Sequence, residues 1–194
     1  TGDEELTRRV SKLAEGRFAE ALRQQVLHSL GSAVTSAADG ALLDLAARRP
    51  PSSRDRNAIV SGLYRRELEF LLGLIDPPRV RKHADGHAKL LTALARCVVR
   101  EGSEERIGVL LAEAAGSGGS RTWIREALCQ GILAARPGGK GGKPAPVRVA
   151  RPLEGCAALD EAAGEAEGDV ARAAAAAFAW PGRPGYEEWD VRPL

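Results

Sequence analysis

The chain has no methionine, three cysteines and only 4% aromatic residues among its 194 positions. Cys97, Cys129 and Cys156 are too few and too widely spaced for a disulfide framework or a zinc site. None stands in a CxxC or CxxCH arrangement, so the chain offers no covalent haem attachment, and the three read as packed thiols. Nothing approaches the roughly 20 consecutive apolar residues of a membrane span. The formal net charge is +2, and Lys and Arg are scattered, so neither nucleic acid nor an anionic membrane surface has an electrostatic footprint. A chain without methionine that starts at Thr1 is what an excised or processed piece of something longer would show.

Catalytic constellations are scarce as well. In the Gly/Lys-rich stretch 137–147, Gly142-Lys143 is followed by Pro144 where a phosphate-binding loop needs Ser or Thr to hold the metal. His83 and His87 are four apart, a spacing that places two ligands on one helical face, but they straddle an expected helix start at Asp85 and have no neighbouring cysteine. They read as structural or solvated histidines. The carboxylate pairs Glu67/Glu69, Glu104/Glu105 and Glu187/Glu188 lie beside arginines or in helix first turns, not in the water-poor setting that raises a catalytic pKa. No GxSxG elbow frames a serine. The sequence therefore assigns no catalytic, cofactor-binding or metal-binding residue.

What is present is helical periodicity from end to end. Leu6, Val10 and Leu13 form a stripe after Asp3, a possible cap. Phe18, Leu22, Val26 and Leu30 run at steps of four, and Gly31 is expected to stop that helix. Leu42, Leu43, Leu45 and Ala46 end at Pro50-Pro51, and Ser52 or Ser53 can cap the next segment, which Gly62 is expected to divide into a short and a longer helix. Leu90, Leu94, Cys97 and Val98 make a stripe after Asp85; Ser103 opens another helix, and Ser120 opens one with Ile124, Leu128 and Ile132 inward. Residues 137–147 read as a flexible loop, and two alanine-rich helices are expected near 153–163 and 167–179, the second carrying Val170, Ala174 and Phe178 on one face. No sustained alternation argues for a strand. The expected fold is all-α, a HEAT-like α-solenoid of short antiparallel helix pairs over residues 1–180, followed by a Pro/aromatic strap at 181–194.

Two segments carry functional expectations. In "LYRRELEFLLGLI", Arg65 and Arg66 stand near Glu67 and Glu69, so the four could brace an outer rim and form a partner surface, with Tyr64, Leu68, Leu71, Leu72 and Ile75 inward. In the tail, "AFAWPGRPGYEEWDVRPL", helix termination is expected at Trp180-Pro181, with a bend at the glycines and Pro184. Trp180, Tyr186 and Trp189 are expected to anchor the strap over the last helices.

"RNAIVSGLYRRELEFLLGLI", "SRTWIREALCQGILAARP" and "WPGRPG…VRPL" resemble the helical repeat region of large modular dehydrogenases of planctomycetes and related bacteria. In that family a sugar-dehydrogenase-like β-propeller precedes HEAT-like helices, and a c-type cytochrome domain with a CxxCH site follows. The resemblance covers most of residues 17–194 in the order of elements, and its most specific part is the "WPG-x-PG" turn with the proline-leucine after it. It implies a spacer between two redox parts and an exported, periplasm-like location. Neither dehydrogenase nor haem function transfers to any residue, because the propeller and CxxCH are not in this sequence. The expectation is thus a non-enzymatic scaffold or protein-interaction module without a cofactor of its own. Its partners would be neighbouring domains or another protein, met on a concave face. The alternative is a small helical ligand-binding or enzymatic domain with a pocket near Trp123, Cys129 and His87.

Overall fold

The computed structural model describes residues 2–15, 20–75, 79–80, 82–138, 143–163 and 168–183. Among these the chain is all-α in character, with ten α-helices and one ladder of two two-residue strands. It divides into two compact units, Thr1–Ala95 and Arg96–Leu194. The sequence expectation was one array over 1–180. The boundary has no linker signal because it falls inside a single 17-residue helix, Asp85–Glu101.

The first unit holds α1 (Gly2–Glu15), α2 (Glu20–Ser32), α3 (Ser36–Arg48), α4 (Ser53–Leu63), α5 (Glu67–Ile75) and the first part of α6 (Asp85–Glu101). Helix starts follow hydroxyl chemistry. Thr35 Oγ1 accepts from the Ala38 amide at 3.2 Å and caps α3. At α4, Ser52 Oγ accepts from Asp55 N at 3.2 Å while Asp55 Oδ2 accepts from Ser52 N at 3.3 Å, a reciprocal capping box. Asp85 does not cap α6; it is the first residue inside it and accepts from Lys89 Nζ at 3.2 Å. Likewise α1 already begins at Gly2, so Asp3 falls within the helix.

Helix contacts in this unit run mainly between sequence neighbours (α1–α2, α2–α3, α4–α5) and next-but-one neighbours (α1–α3, α2–α4, α3–α5), and α6 also meets α3 where His87 reaches the Ala46 carbonyl. The most extensive is α2 on α4. Gly31 and Gly62 make it possible: a Cβ on Gly62 would stand 2.8 Å from the His28 carbonyl oxygen and 3.0 Å from Gly31 Cα. Gly31 therefore does not stop α2, which continues to Ser32. Gly62 sits inside α4, and the division comes three residues later, where Arg65 takes the left-handed φ of 61°. The first of the two resulting helices is the longer, at 11 residues against 9.

Val26, Leu27 and Leu30 of α2, Leu42 and Leu45 of α3, and Ile59 and Leu63 of α4 fill the core. The α1 stripe does not join them. Leu6 is 61% and Leu13 45% exposed and Val10 is half-buried, although α1 meets both α2 and α3. Leu22 is also exposed, and Phe18 lies outside the described residues.

The second unit continues with α7 (Glu104–Gly116), a 3-10 turn (Gly119–Arg121), α8 (Thr122–Ala135), β1 (Val147–Arg148), α9 (Glu154–Ala162), α10 (Gly168–Ala175) and β2 (Phe178–Ala179). Ser103 caps α7, whereas Ser120 lies in the 3-10 turn and α8 starts at Thr122 without a side-chain cap. Contacts again join α7–α8, α9–α10, α7–α9 and α8–α10. The α7–α9 crossing is the most extensive and contains Gly155, whose added Cβ would lie 2.5 Å from Leu111 Cβ.

The expectation of a helix to residue 179 is corrected. α10 ends at Ala175, and Phe178–Ala179 is a strand parallel to Val147–Arg148. Val147 N donates to Ala177 O at 2.7 Å and Val149 N to Ala179 O at 2.9 Å. The ladder is too short to produce a period-2 signal, which is why no strand was legible. The edges of the 137–147 segment carry hydrogen bonds. Arg136 donates from Nε to Ala145 O at 3.2 Å and from Nη2 to Pro144 O at 2.6 Å, and Ala145 N donates to Pro137 O at 2.8 Å. Residues 139–142 lie outside the described residues.

Candidate functional site

The four expected rim residues are placed differently from one another. Arg65 is exposed in the left-handed turn, its guanidinium 5.7 Å from the ring of Tyr64, which is 77% exposed and not inward. Arg66 instead reaches back across the unit, donating to the Asp39 carboxylate and to the Gly31 carbonyl. Glu67 and Glu69 lie in the first turn of α5, the former half-buried and the latter exposed. Leu68, Leu71 and Ile75 are buried as expected, Leu72 is half-buried, and Phe70 and Leu74 join the core.

Of the residues offered for an alternative pocket, His87 belongs to the first unit, and Trp123 and Cys129 to the second. Trp123 is half-buried in the first turn of α8. Cys129 is wholly buried, and burial pushes its thiol up to about 11, against the smaller opposing pull of Arg125. A thiol in that state is a poor nucleophile. Cys156, also buried, is likewise pushed up by burial, while Arg183 beside it pulls down. None of the three cysteines is in a disulfide. A thiol reagent should therefore titrate half-buried Cys97 first in the native protein and reach Cys129 and Cys156 only after unfolding. Rapid native labelling of all three, read by mass spectrometry, would contradict this packing.

His83 is exposed before α6, and His87 is 6% exposed within it. His87 Nε2 lies 3.1 Å from the Ala46 carbonyl oxygen; a carbonyl only accepts, so Nε2 carries the proton. Burial lowers the His87 pKa below 6.5, and the Ala46 carbonyl opposes that more weakly. The unfolded chain then binds a proton at a pH where the folded chain does not. The resulting stability is full above about 6.5 and falls as pH drops from there toward the folded value. His87→Gln should flatten that part of a stability-against-pH curve, measured by urea unfolding between about pH 7 and pH 5. Unchanged steepness would show that His87 is not the group responsible. Among the described residues, no group of three His, Cys, Asp or Glu side chains is arranged to hold a metal.

Two buried arginines were missed by the sequence reading. Arg23 (8% exposed, α2) donates from Nε to Asp55 Oδ2 at 3.2 Å, joining α2 to the capping box of α4. Arg125 (9% exposed, α8) donates to Ala114 O at 3.2 Å, Ala115 O at 3.1 Å and Ala162 O at 2.7 Å. It thereby closes the C-terminal ends of α7 and α9, where carbonyls lack intrahelical partners and the helix dipole favours a cation.

In the second unit a cleft of about 540 Å³ lies between the first turns of α9 and the end of α10. Leu153, Ala157, Ala175 and Ala176 supply apolar wall, with Cys156 at its base. The segment after β2 completes it. Trp180-Pro181-Gly182-Arg183 is a type II turn: Pro181 pre-sets its own φ, Gly182 has φ 87°, and Arg183 N donates to Trp180 O at 3.1 Å. That turn is the bend expected at the glycine, but the helix had ended five residues before Trp180. The turn folds Arg183 back so that its guanidinium carbon lies 4.4 Å from the Trp180 ring centroid. Arg183 Nη1 donates to Phe178 O at 2.6 Å and to Ala175 O at 3.2 Å. Arg183 and half-buried Trp180 thus pack together where the expected strap begins; Tyr186 and Trp189, the other expected anchors, and Pro184 and Gly185 of the expected bend lie outside the described residues.

A second cleft, of about 450 Å³, lies between α1 and α3 in the first unit, where Arg8, Lys12 and Arg48 are interleaved with Glu4 and Asp44. Arg8 is already committed to Glu5, and Asp44 to Arg79, so this groove has no concentrated charge. No described helix is long and apolar enough to cross a membrane. No family model, curated protein or solved structure matches the chain.

Proposed function

We propose that this chain is a non-enzymatic helical module, a HEAT-like α-solenoid segment that holds neighbouring domains or binds a protein partner. The observation that carries the reading is the contact pattern within each unit. The most extensive helix pairs join elements one or two apart in sequence, as stacking of short helix pairs requires, and the α6–α3 contact at His87 and Ala46 is the longer-range exception named above. Capped starts at α3, α4 and α7 fit the same serial construction. The family resemblance adds the context: a spacer between a dehydrogenase-like propeller and a cytochrome domain, in an exported protein.

Reading the gene on both sides of residues 1 and 194 tests that context. A CxxCH-coding stretch downstream supports the spacer, and a stop codon directly after Leu194 would sink it. Thermal-shift titration with divalent metals, nucleotides and sugars tests the non-enzymatic part. A specific, saturable shift with any of these would favour the alternative of a ligand-binding or enzymatic domain.

A further inference from the structure

The cleft between α9 and α10 is more than a seam between packed helices, because four different features in it favour the same kind of molecule. Its walls are apolar, and its volume, about 540 Å³, lies in the range of small-molecule sites. Trp180 lines it and offers an aromatic surface. Arg183 is held in place by two backbone carbonyls, the indole and the Cys156 thiol, so its guanidinium is oriented without further loss of side-chain freedom. The first turn of α9 borders the cleft; its N-cap, Leu153, supplies no side-chain oxygen, and of the first-turn amides that of Cys156 already donates to the Leu153 carbonyl at 3.0 Å. Arg172 adds a second guanidinium to the lining. Glu154 and Asp160 also line the cleft and, like Arg172, are exposed and screened, so the preference for an anion rests on half-buried Arg183.

We propose that this cleft binds a small arylalkyl carboxylate, with the ring against Trp180 and the apolar wall and the carboxylate toward Arg183 and the first turn of α9. The assignment does not depend on the scaffold reading, since a spacer can carry a ligand site, and its test uses a different ligand class from the one above. A neutral aromatic would forgo the guanidinium and the helix end. A bare small anion would forgo the ring and wall contacts.

The test is amide chemical-shift titration of the whole chain with phenylacetate, acetate and 2-phenylethanol. Phenylacetate should shift the amides of residues 153–157 and 175–183 saturably, with a dissociation constant of roughly 1 mM or below. Acetate and 2-phenylethanol should each bind at least about tenfold more weakly, since each keeps only half of the recognition. Arg183→Gln should weaken phenylacetate by about tenfold or more, and Trp180→Leu should weaken phenylacetate by a larger factor than acetate. If Arg183→Gln does not fold, the three-ligand comparison on the unmodified protein still decides. Equal binding of 2-phenylethanol and phenylacetate, an unaffected folded Arg183→Gln variant, or shifts that never saturate would each overturn the assignment.

Discussion

Gly62→Ala is expected to destabilise the first unit by about 1–3 kcal/mol, the usual cost of overpacking a tight core position, with the upper end favoured here. The added Cβ would meet backbone, not a flexible side chain: the His28 carbonyl at 2.8 Å and Gly31 Cα at 3.0 Å. Neither can move without displacing α2 from α4. Gly73→Ala is the control, because its Cβ would meet the ends of Leu43, at 2.9 Å from Cδ1, and that side chain can rotate away. Gly155→Ala is the counterpart in the second unit, at 2.5 Å from Leu111 Cβ and 3.3 Å from the Ala112 amide nitrogen. Hydrogen exchange separates the two effects. In a serial array, Gly62→Ala should lower protection in α2 and α4 and leave α7 and α9 little changed, and Gly155→Ala should do the reverse. Equal loss of protection throughout both units would show a single cooperative core and would count against the stacked-repeat proposal.

These glycines also show where sequence reading reached its limit. Apolar spacing located the helices, and hydroxyl residues before them marked the caps at Ser52 and Ser103, because both signals are local. A glycine in a helical pattern carries two opposite meanings, a stop or a close approach, and only the partner helix decides. Gly31 and Gly62 were read as stops because each stands near a helix end, yet their function is mutual contact. Tyr64 was assigned inward because its spacing extended the stripe of Leu68 and Leu71, but the left-handed turn at Arg65 separates it from that helix. For the cleft, Trp180 was legible as an aromatic beside a helix-breaking proline. Arg183 was not, since nothing in "WPGRPG" says that a type II turn will return its side chain to Ala175 and Phe178.

One signal for the buried arginines was available. Arg23, Val26, Leu27 and Leu30 follow i, i+3, i+4, i+7, and so do Arg125, Leu128, Cys129 and Ile132; in each set the three later residues are buried. An arginine that opens a buried stripe is placed inward by the helix itself and must find acceptors there. Arg23 finds the Asp55 carboxylate, and Arg125 finds carbonyls at two helix ends. Their identity as structural hubs therefore follows from position in the stripe, while the choice of acceptor follows from tertiary packing.

Arg125→Met should be the most damaging single change in the second unit, at about 3–5 kcal/mol. Methionine keeps most of the buried volume, so the loss isolates the polar network rather than a cavity. Three carbonyls, at Ala114, Ala115 and Ala162, lose a charged donor at once, and each such bond is worth about 1.5–3 kcal/mol before non-additivity reduces the sum. Arg125→Lys retains the charge and its interaction with the helix dipoles, but one ammonium cannot span the ends of α7 and α9 as the guanidinium fork does. It should recover less than half of the loss. Urea unfolding gives the free energies, and hydrogen exchange at the last turns of α7 and α9 locates them. If Arg125→Met costs under about 1 kcal/mol, or if lysine substitutes fully, the fork geometry is not what holds the two helix ends together.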